Sequence, residues 1–404
     1  MTLSDHIVSG RIVPPLPSSL RYVCGCGLPG ITRHSVEDGF IYRLPDGSVL
    51  SDEDELDRIR RLAIPPAYQD VWICPRPDGH LQATGRDARG RKQYRYHADW
   101  NAQRNVDKFS RLEAFGHALP RVRRRVRQDL ASDDGRTLSE RLVLATLVRL
   151  LDTTYVRVGN QTYARENRSY GLTTLRNRHV DLKGNQVVLS FRGKHGIRQE
   201  VRLNDPRVMR IIKRCKHLPG QELFQYEDGC MVRAIGSGDV NDYLSEATGE
   251  RFTAKDFRTW HGTVLAFDIA YAAYKQQSAS DEGFSVQTML KAVAGRLGNT
   301  VGVCRKAYIH PNVMQIAQQV AEGREVDSLL EHVDGPAKTH PSELQVAEHR
   351  LLRFLALRQK GTQQGIGAVT KRKKVGVEIP VQMDSKQPRE KRQRRRTLRS
   401  QRDD

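Results

Sequence analysis

In the first hundred residues the apolar positions fall in short runs, and turn residues cut between them. Residues 40–43 (FIYR), 71–73 and 81–84 are apolar or β-branched and read as strands, with Pro45-Asp46-Gly47 and Pro77-Asp78-Gly79 as turns. One helix is predicted among them. Residues 51–62 (SDEDELDRIRRL) combine a capping start, an acidic first turn and apolar residues at helical spacing, closed by Pro65-Pro66. From 98 to about 130 the period lengthens to that of a helix, strongly basic after Pro120. Ser132 to Gly135 breaks the chain, and 138–151, almost continuously apolar, predicts a buried helix. Extended runs return at 171–175, 179–182, 186–192 and 197–203, with Lys183-Gly184-Asn185 and Gly193-Lys194-His195-Gly196 as turns. Lys194 is thereby placed at a hairpin tip. Residues 205–218, 238–248, 253–276 (interrupted by Gly262) and 286–297 read as helices, and 342–357 as an amphipathic stretch.

This pattern predicts an α+β protein. A small β-rich N-terminal domain would occupy 1–97, a mainly helical domain with a small antiparallel sheet 98–320, and a tail 321–404. Residues 371–404 hold 13 Lys and Arg against five Asp and Glu, a local balance of +8, so the end of the tail is expected to be disordered.

Composition adds a partner. The 404 residues can form two or three domains with proper cores, and a formal charge of +20 points to a polyanion, with nucleic acid the leading candidate. A mean hydropathy of −0.61 and the lack of an apolar run approaching about 20 residues speak against a membrane segment. The N-terminal sequence lacks a basic and an apolar signal region, so a cytoplasmic protein is expected. Its six cysteines are scattered, and Cys24-Gly-Cys26 has no second pair at zinc-site spacing, which makes them ordinary thiols of a reducing compartment. With no GxxxxGK[ST] loop and no clustered acidic or His/Cys site, neither a nucleotide nor a metal cofactor is expected.

Two segments suggest chemistry. GRDARGRKQYRYH at 85–97 interleaves Arg86, Arg89, Arg91, Lys92 and Arg95 with Tyr94 and Tyr96, pairing cations for phosphates with hydroxyls and stacking faces. AGRLGNTVGVCRKAYIH at 294–310 carries Tyr308, flanked by Arg305 and Lys306 and preceded by the amide Asn299. A phenol with an ordinary pKa of about 10 attacks poorly unless its surroundings favour the phenolate. Arg157, in YVRVGN at 155–160, reads on its own as a structural salt-bridge partner. Arg258 lies in KDFRTWHG at 255–262, on a helix rich in apolar residues.

Taken in order, GRKQYRYH (90–97), VRVGN (156–160), GLTTLRNRHV (171–180), FRGKHG (191–196), AKDFRTWHG (254–262) and GNTVGVCRKAYIHP (298–311) resemble the type IB DNA topoisomerases, most closely their small poxvirus and bacterial branch. The resemblance spans roughly residues 20–320, and six motifs in one order make it specific. It implies Tyr308 as nucleophile, assisted by Arg157, Lys194, Arg258 and Asn299, and DNA contacts from Arg89, Arg91, Lys92, Gln93, Tyr94, Tyr96 and Tyr163. It also implies a monomer clamped in a C-shape around double-stranded DNA, association with the nucleoid, and a catalytic fold related to that of tyrosine recombinases. Asn299 stands where the family often has histidine, so a hydrogen-bond donor is kept and a cation is not. The lysines that poxvirus enzymes carry near Asn160 and Thr162 are missing, which separates this chain from their sequence preference.

The implied chemistry is consistent with the residues. Attack on a phosphodiester gathers charge on the nonbridging oxygens, which Arg157 and Arg258 suit by planar, charge-assisted hydrogen bonds. Tyr308 would form a 3′-phosphotyrosyl link and free a 5′-hydroxyl strand that swivels and re-attacks. Tyrosine recombinases share this logic, but usually have His-x-x-Arg where this chain has Lys255-x-x-Arg258, and they lack the GRKQY-type motif. A non-catalytic DNA-binding protein would need the basic loops and not the set Arg157, Lys194, Arg258 and Tyr308. The base that deprotonates Tyr308 is not identifiable from the sequence.

Overall fold

The computed structural model describes residues 7–8, 11–12, 16–23, 28–88, 90–276, 284–324, 328–334 and 344–372. Arg89, Cys24, Cys26 and the basic stretch from 373 onward, all singled out by the sequence, lie outside them. The chain divides into two units, Met1–Leu355 and Ala356–Asp404.

The N-terminal part is a β module, as its short apolar runs predict. A two-residue ladder of β1 (Ile7–Val8) and β2 (Arg11–Ile12) precedes a five-stranded antiparallel sheet of β3 (Ile31–Val36), β4 (Gly39–Arg43), β5 (Gln69–Ile73), β6 (Leu81–Arg86) and β7 (Lys92–Tyr96), ordered β4-β3-β5-β6-β7. Helix α1 (Glu53–Arg61) packs on it. Asp52 caps α1 by accepting from the Glu55 N–H, and Ile59 joins Ile31, Leu50, Val71, Ile73 and Ala83 in a small core. Neither β3 nor β7 is visible in the hydrophobic pattern. Only Ile31 of β3 is buried and no residue of β7 is, so neither strand carries the apolar alternation that marks a half-buried one.

β7 runs through the cap residue His97 directly into α2 (Ala98–Ala131), about 50 Å long, with Pro120 accommodated inside it. Then follow α3 (Glu140–Thr154), α4 (Gln161–Asn167), the antiparallel sheet of β8 (Val180–Lys183), β9 (Gln186–Arg192) and β10 (Arg198–Leu203), and α5 (Pro206–His217). A hairpin of β11 (Gln225–Asp228) and β12 (Met231–Ala234) leads to α6 (Ser237–Thr248), α7 (Ala254–Gln276), α8 (Val286–Leu297), α9 (Val301–Ala307), α10 (Pro311–Ala321) and α11 (Val346–Arg372). The architecture is α+β, β-rich at the N-terminus and mostly helical beyond.

Two sequence expectations are corrected. Residues 171–175 do not form a strand: Leu172–Thr174 is a 3₁₀ turn, because the Leu172 and Thr173 N–H groups donate to Arg157 O and Val158 O of a loop. Gly262 does not interrupt its helix, for α7 runs unbroken through it.

The main core runs from Phe109 to Leu355 and includes the start of α11, where Leu351, Leu352, Phe354 and Leu355 are buried. Glu348 of α11 is buried too, in a charge network the pattern did not show. Arg123 donates to both Glu348 oxygens (2.7 and 2.9 Å) and both Asp152 oxygens (2.8 and 2.9 Å), Trp260 Nε1 donates to Glu348 (3.0 Å), and His261 Nε2 meets Asp152 at 3.1 Å. Without Glu348, Arg123 keeps its bidentate bond to Asp152, but its two bonds to Glu348 and the acceptor of the buried Trp260 Nε1 are lost. Glu348→Ala is therefore expected to cost about 2–3 kcal/mol. Denaturant unfolding of the full chain checks this, and a loss below about 1 kcal/mol would mean that Arg123 is satisfied without α11.

Candidate active site

Four segments converge on Tyr308. Helix α3 ends at Tyr155 in a left-handed conformation, and the loop after it carries Arg157. The turn between β9 and β10 presents Lys194, and the first turns of α7 bear Lys255 and Arg258. Gly298 caps α8 with φ of 57°, turning the chain so that the Asn299 N–H reaches Ala294 O (3.0 Å). One short helix later Tyr308 ends α9, its N–H donating to Cys304 O (3.0 Å).

Arg258 is only 4% exposed. It donates from Nη1 to Tyr155 O and from Nη2 to Leu297 O (2.7 Å), and its guanidinium carbon lies 5.2 Å from the centre of the Tyr308 ring. Arg157 donates to Gly298 O (3.3 Å) and Asn299 Oδ1. The salt bridge that its own segment suggests is not formed, since among the described residues no carboxylate pairs with Arg157. Two buried donors, Arg258 Nε and Asn299 Nδ2, find no oxygen acceptor in good geometry, although the Arg258 side chain also interacts with the Tyr308 hydroxyl and the Asn299 side chain with the Cys304 thiol. Buried polar groups are ordinarily paired, so both donors are available to an oxygen from elsewhere.

The local charge is one-sided. Burial pushes the Tyr308 phenol up, but Arg258, then Arg157 and Lys255, outweigh it and leave its pKa below the ordinary tyrosine value. Burial and the neighbouring Arg258 lower Arg157 to about 10. The Lys194 ammonium is lowered by burial, then by Arg157, and further by Arg258 and Arg91, against the pull of Tyr308. Thus the structure brings Arg157, Lys194, Arg258 and Asn299 together around Tyr308. The neighbours expected to favour the phenolate, Arg305 and Lys306, are exposed on α9, and the cations that act on the phenol come from α7 and the Arg157 loop instead.

The expected DNA contacts lie on two elements. On β7, Lys92 sits 5.9 Å over the Tyr94 ring, Tyr94 stacks on Tyr96 at 6.1 Å, and both tyrosines are exposed. Arg91 and Gln93 are tied to Asp87 at 2.6 and 2.9 Å. Tyr163 stands 56% exposed on α4.

Residues 97–332, over half of the chain, match the family described as eukaryotic DNA topoisomerase I, catalytic core, and residues 39–87 match that described as bacterial DNA topoisomerase IB, N-terminal domain. The chain belongs to the type IB DNA topoisomerase family. It is thus an isomerase that binds DNA and changes its topology. DNA topoisomerase 1B of Acanthamoeba polyphaga mimivirus is 29% identical over 303 residues, covering 73% of this chain and 89% of that protein. DNA topoisomerase 1B of vaccinia virus (strain Copenhagen) is 24% identical over 159 residues, 38% of this chain and 49% of the viral enzyme. DNA topoisomerase 1 of Schizosaccharomyces pombe is 28% identical over 164 residues, 40% of this chain and 19% of the yeast protein.

Two residues hold the topoisomerase's tyrosine turn: Thr263, which had no sequence signal, and Gly262, which the sequence suggested as a helix break. Thr263 Oγ1 accepts from the His310 N–H (3.2 Å), and its single proton lies between Thr259 O (2.8 Å) and Tyr308 O (3.2 Å). Gly262 lets that turn approach, because a Cβ there would stand 2.8 Å from Tyr308 O and 3.3 Å from Tyr308 Cβ. Its glycine serves contact rather than a helix break. Gly262→Ala should displace the tyrosine and slow DNA cleavage by roughly 100-fold, with DNA affinity kept. A single-turnover cleavage assay beside a binding titration checks this, and an unchanged rate would show that the turn can yield.

Proposed function

We propose that this topoisomerase relaxes supercoiled duplex DNA by transient single-strand cleavage through a 3′-phosphotyrosyl link at Tyr308, strand rotation and religation, without ATP or a required metal. The observation that carries the reading is the pair of buried donors available to a further oxygen, Arg258 Nε and Asn299 Nδ2, around a tyrosine whose pKa is lowered by cations. Two nonbridging phosphate oxygens would accept from them and from Arg157, with gain concentrated in the five-coordinate transition state. The phosphotyrosyl bond keeps the energy of the broken phosphodiester, so re-attack by the 5′-hydroxyl needs no other source.

In this reading the β module of 1–97 and the catalytic part of 98–320 clamp the duplex as a monomer in the nucleoid, with Arg89, Arg91, Lys92, Gln93, Tyr94, Tyr96 and Tyr163 toward DNA. A catalytic fold related to the tyrosine recombinases accounts for the shared arginine-and-tyrosine logic, and Lys255 at the usual histidine position favours relaxation over recombination. The test is relaxation of supercoiled plasmid in EDTA without ATP, followed by mapping of the trapped adduct. A ladder of topoisomers and a 3′-linked DNA on Tyr308 are expected. Site-dependent recombination products would give the integrase, and binding without either product a DNA-binding protein.

The basic end of the tail, with its balance of +8 over 371–404, is assigned sequence-independent phosphate contacts. Deleting 366–404 is expected to leave the cleavage rate intact and to flatten the salt dependence of DNA affinity. An unchanged slope would remove DNA from the tail's partners.

A further inference from the structure

The helix that follows the β module directly also touches the tyrosine turn. Lys108 lies about three turns into α2, and its Nζ donates to Ala307 O, the carbonyl immediately before Tyr308. The same ammonium sits 5.5 Å from the centre of the Tyr308 ring and 4.5 Å from that of Phe109. Phe109 in turn meets the His310 ring edge-to-face at 5.3 Å. So α2 holds the turn on both sides of Tyr308, in addition to the contacts of Gly262 and Thr263 from α7.

A half-buried lysine is costly where nothing needs it. Burial, then Lys255, lower this ammonium to about 8, with Asp256 pulling the other way. Desolvation sharpens what the charge can do to the tyrosine. The bond to Ala307 O fixes the peptide from which the phenol projects, and orientation at that scale controls rate.

We propose that Lys108 is a positioning residue of the cleavage reaction, coupling α2, and through it the β module, to the turn that carries Tyr308. The proposal rests on the reading of Tyr308 as nucleophile. It gives α2 a task beyond linking two parts of the chain: the strand β7, with its exposed Tyr94 and Tyr96, leads straight into the helix that holds the attacking residue. The competing assignment is a phosphate contact, the ordinary use of a lysine in a DNA-binding protein.

The test uses the full-length topoisomerase on a duplex that releases its 5′ strand after cleavage. Lys108→Met is expected to form the covalent adduct about 10- to 100-fold more slowly at saturating enzyme. Lys108→Arg, which keeps donor and charge, should recover most of the rate. DNA affinity and its salt slope, measured with Tyr308→Phe in the background so that no adduct forms, should not change. If Lys108→Met does not show a cooperative melting transition, Lys108→Gln, which keeps an N–H for Ala307 O, carries the comparison and is expected to be slowed less. A wild-type rate overturns the proposal. So does a weaker affinity with a salt slope shallower by about one, the mark of a lost phosphate contact. Tyr308→Phe alone is the control: if it still forms adduct, the nucleophile reading has failed, whereas an inert Tyr308→Phe beside a fast Lys108→Met removes Lys108 only.

Discussion

Tyr308→Phe is expected to lose covalent adduct and plasmid relaxation down to background while binding duplex DNA with nearly wild-type affinity. The substitution removes one oxygen and keeps the ring that lies 5.2 Å from the Arg258 guanidinium and 5.5 Å from the Lys108 ammonium. Packing and the cation–π contacts should therefore survive. What disappears is the oxygen proposed to form the bond to phosphorus, and two nucleophilic side chains described nearby are poorly suited to replace it. Cys304, four residues earlier, is buried, and burial raises its thiol pKa. Tyr271 is buried on α7 with its hydroxyl committed to Asp334. The measurement is denaturing-gel capture of enzyme on labelled DNA, with a binding titration on the same protein. Adduct persisting in the variant would move the nucleophile elsewhere, with Tyr271 or Tyr274 as the next residues to map.

How much of this was legible beforehand depends on the kind of signal each residue gives. Helices α5, α6 and α8 could be read within a residue or two, because apolar period, caps and breakers agree there. Strands β3 and β7 of the β module could not, since they bury almost nothing and so show no alternation. The same limit applies to the site. Arg157, Lys194, Arg258, Asn299 and Tyr308 stand out because each sits in a short motif matching one family in one order. Lys108 and Thr263 act by reaching a turn at 307–310 from 199 and 45–47 residues away, and Glu348 by pairing with Arg123 at a separation of 225. No local pattern announces a partner that only the fold supplies. Gly262 shows the converse, for a glycine in a helical run reads as a break until the atom that its missing Cβ would strike is known.

Lys194→Ala should cleave ordinary DNA far more slowly than the wild type, and most of that defect should vanish on DNA with sulfur in place of the bridging 5′ oxygen. The hypothesis is that Lys194 is the general acid for the departing strand. An expelled alkoxide has a conjugate acid with a pKa of the order of water's, roughly 15, so its departure near neutral pH gains greatly from a positioned proton. A thiolate, whose acid has a pKa of about 8.5, leaves without that help. The environment of Lys194 suits a donor: burial first, then the charges of Arg157, Arg258 and Arg91, lower its ammonium below the ordinary lysine value, bringing it toward the operating pH. Lys194 is exposed on the turn between β9 and β10, and among the described residues no carboxylate pairs with it. Arg157 provides the contrast. Its guanidinium spans Gly298 O and Asn299 Oδ1 and would meet a nonbridging oxygen, so Arg157→Ala should be slow on both substrates. The deciding quantity is the ratio of single-turnover cleavage rates on the two DNAs for each variant. Should the sulfur substrate leave the Lys194→Ala defect at full size, the lysine acts by stabilising charge or placing the DNA, and the proton must come from Arg258 or from bound water.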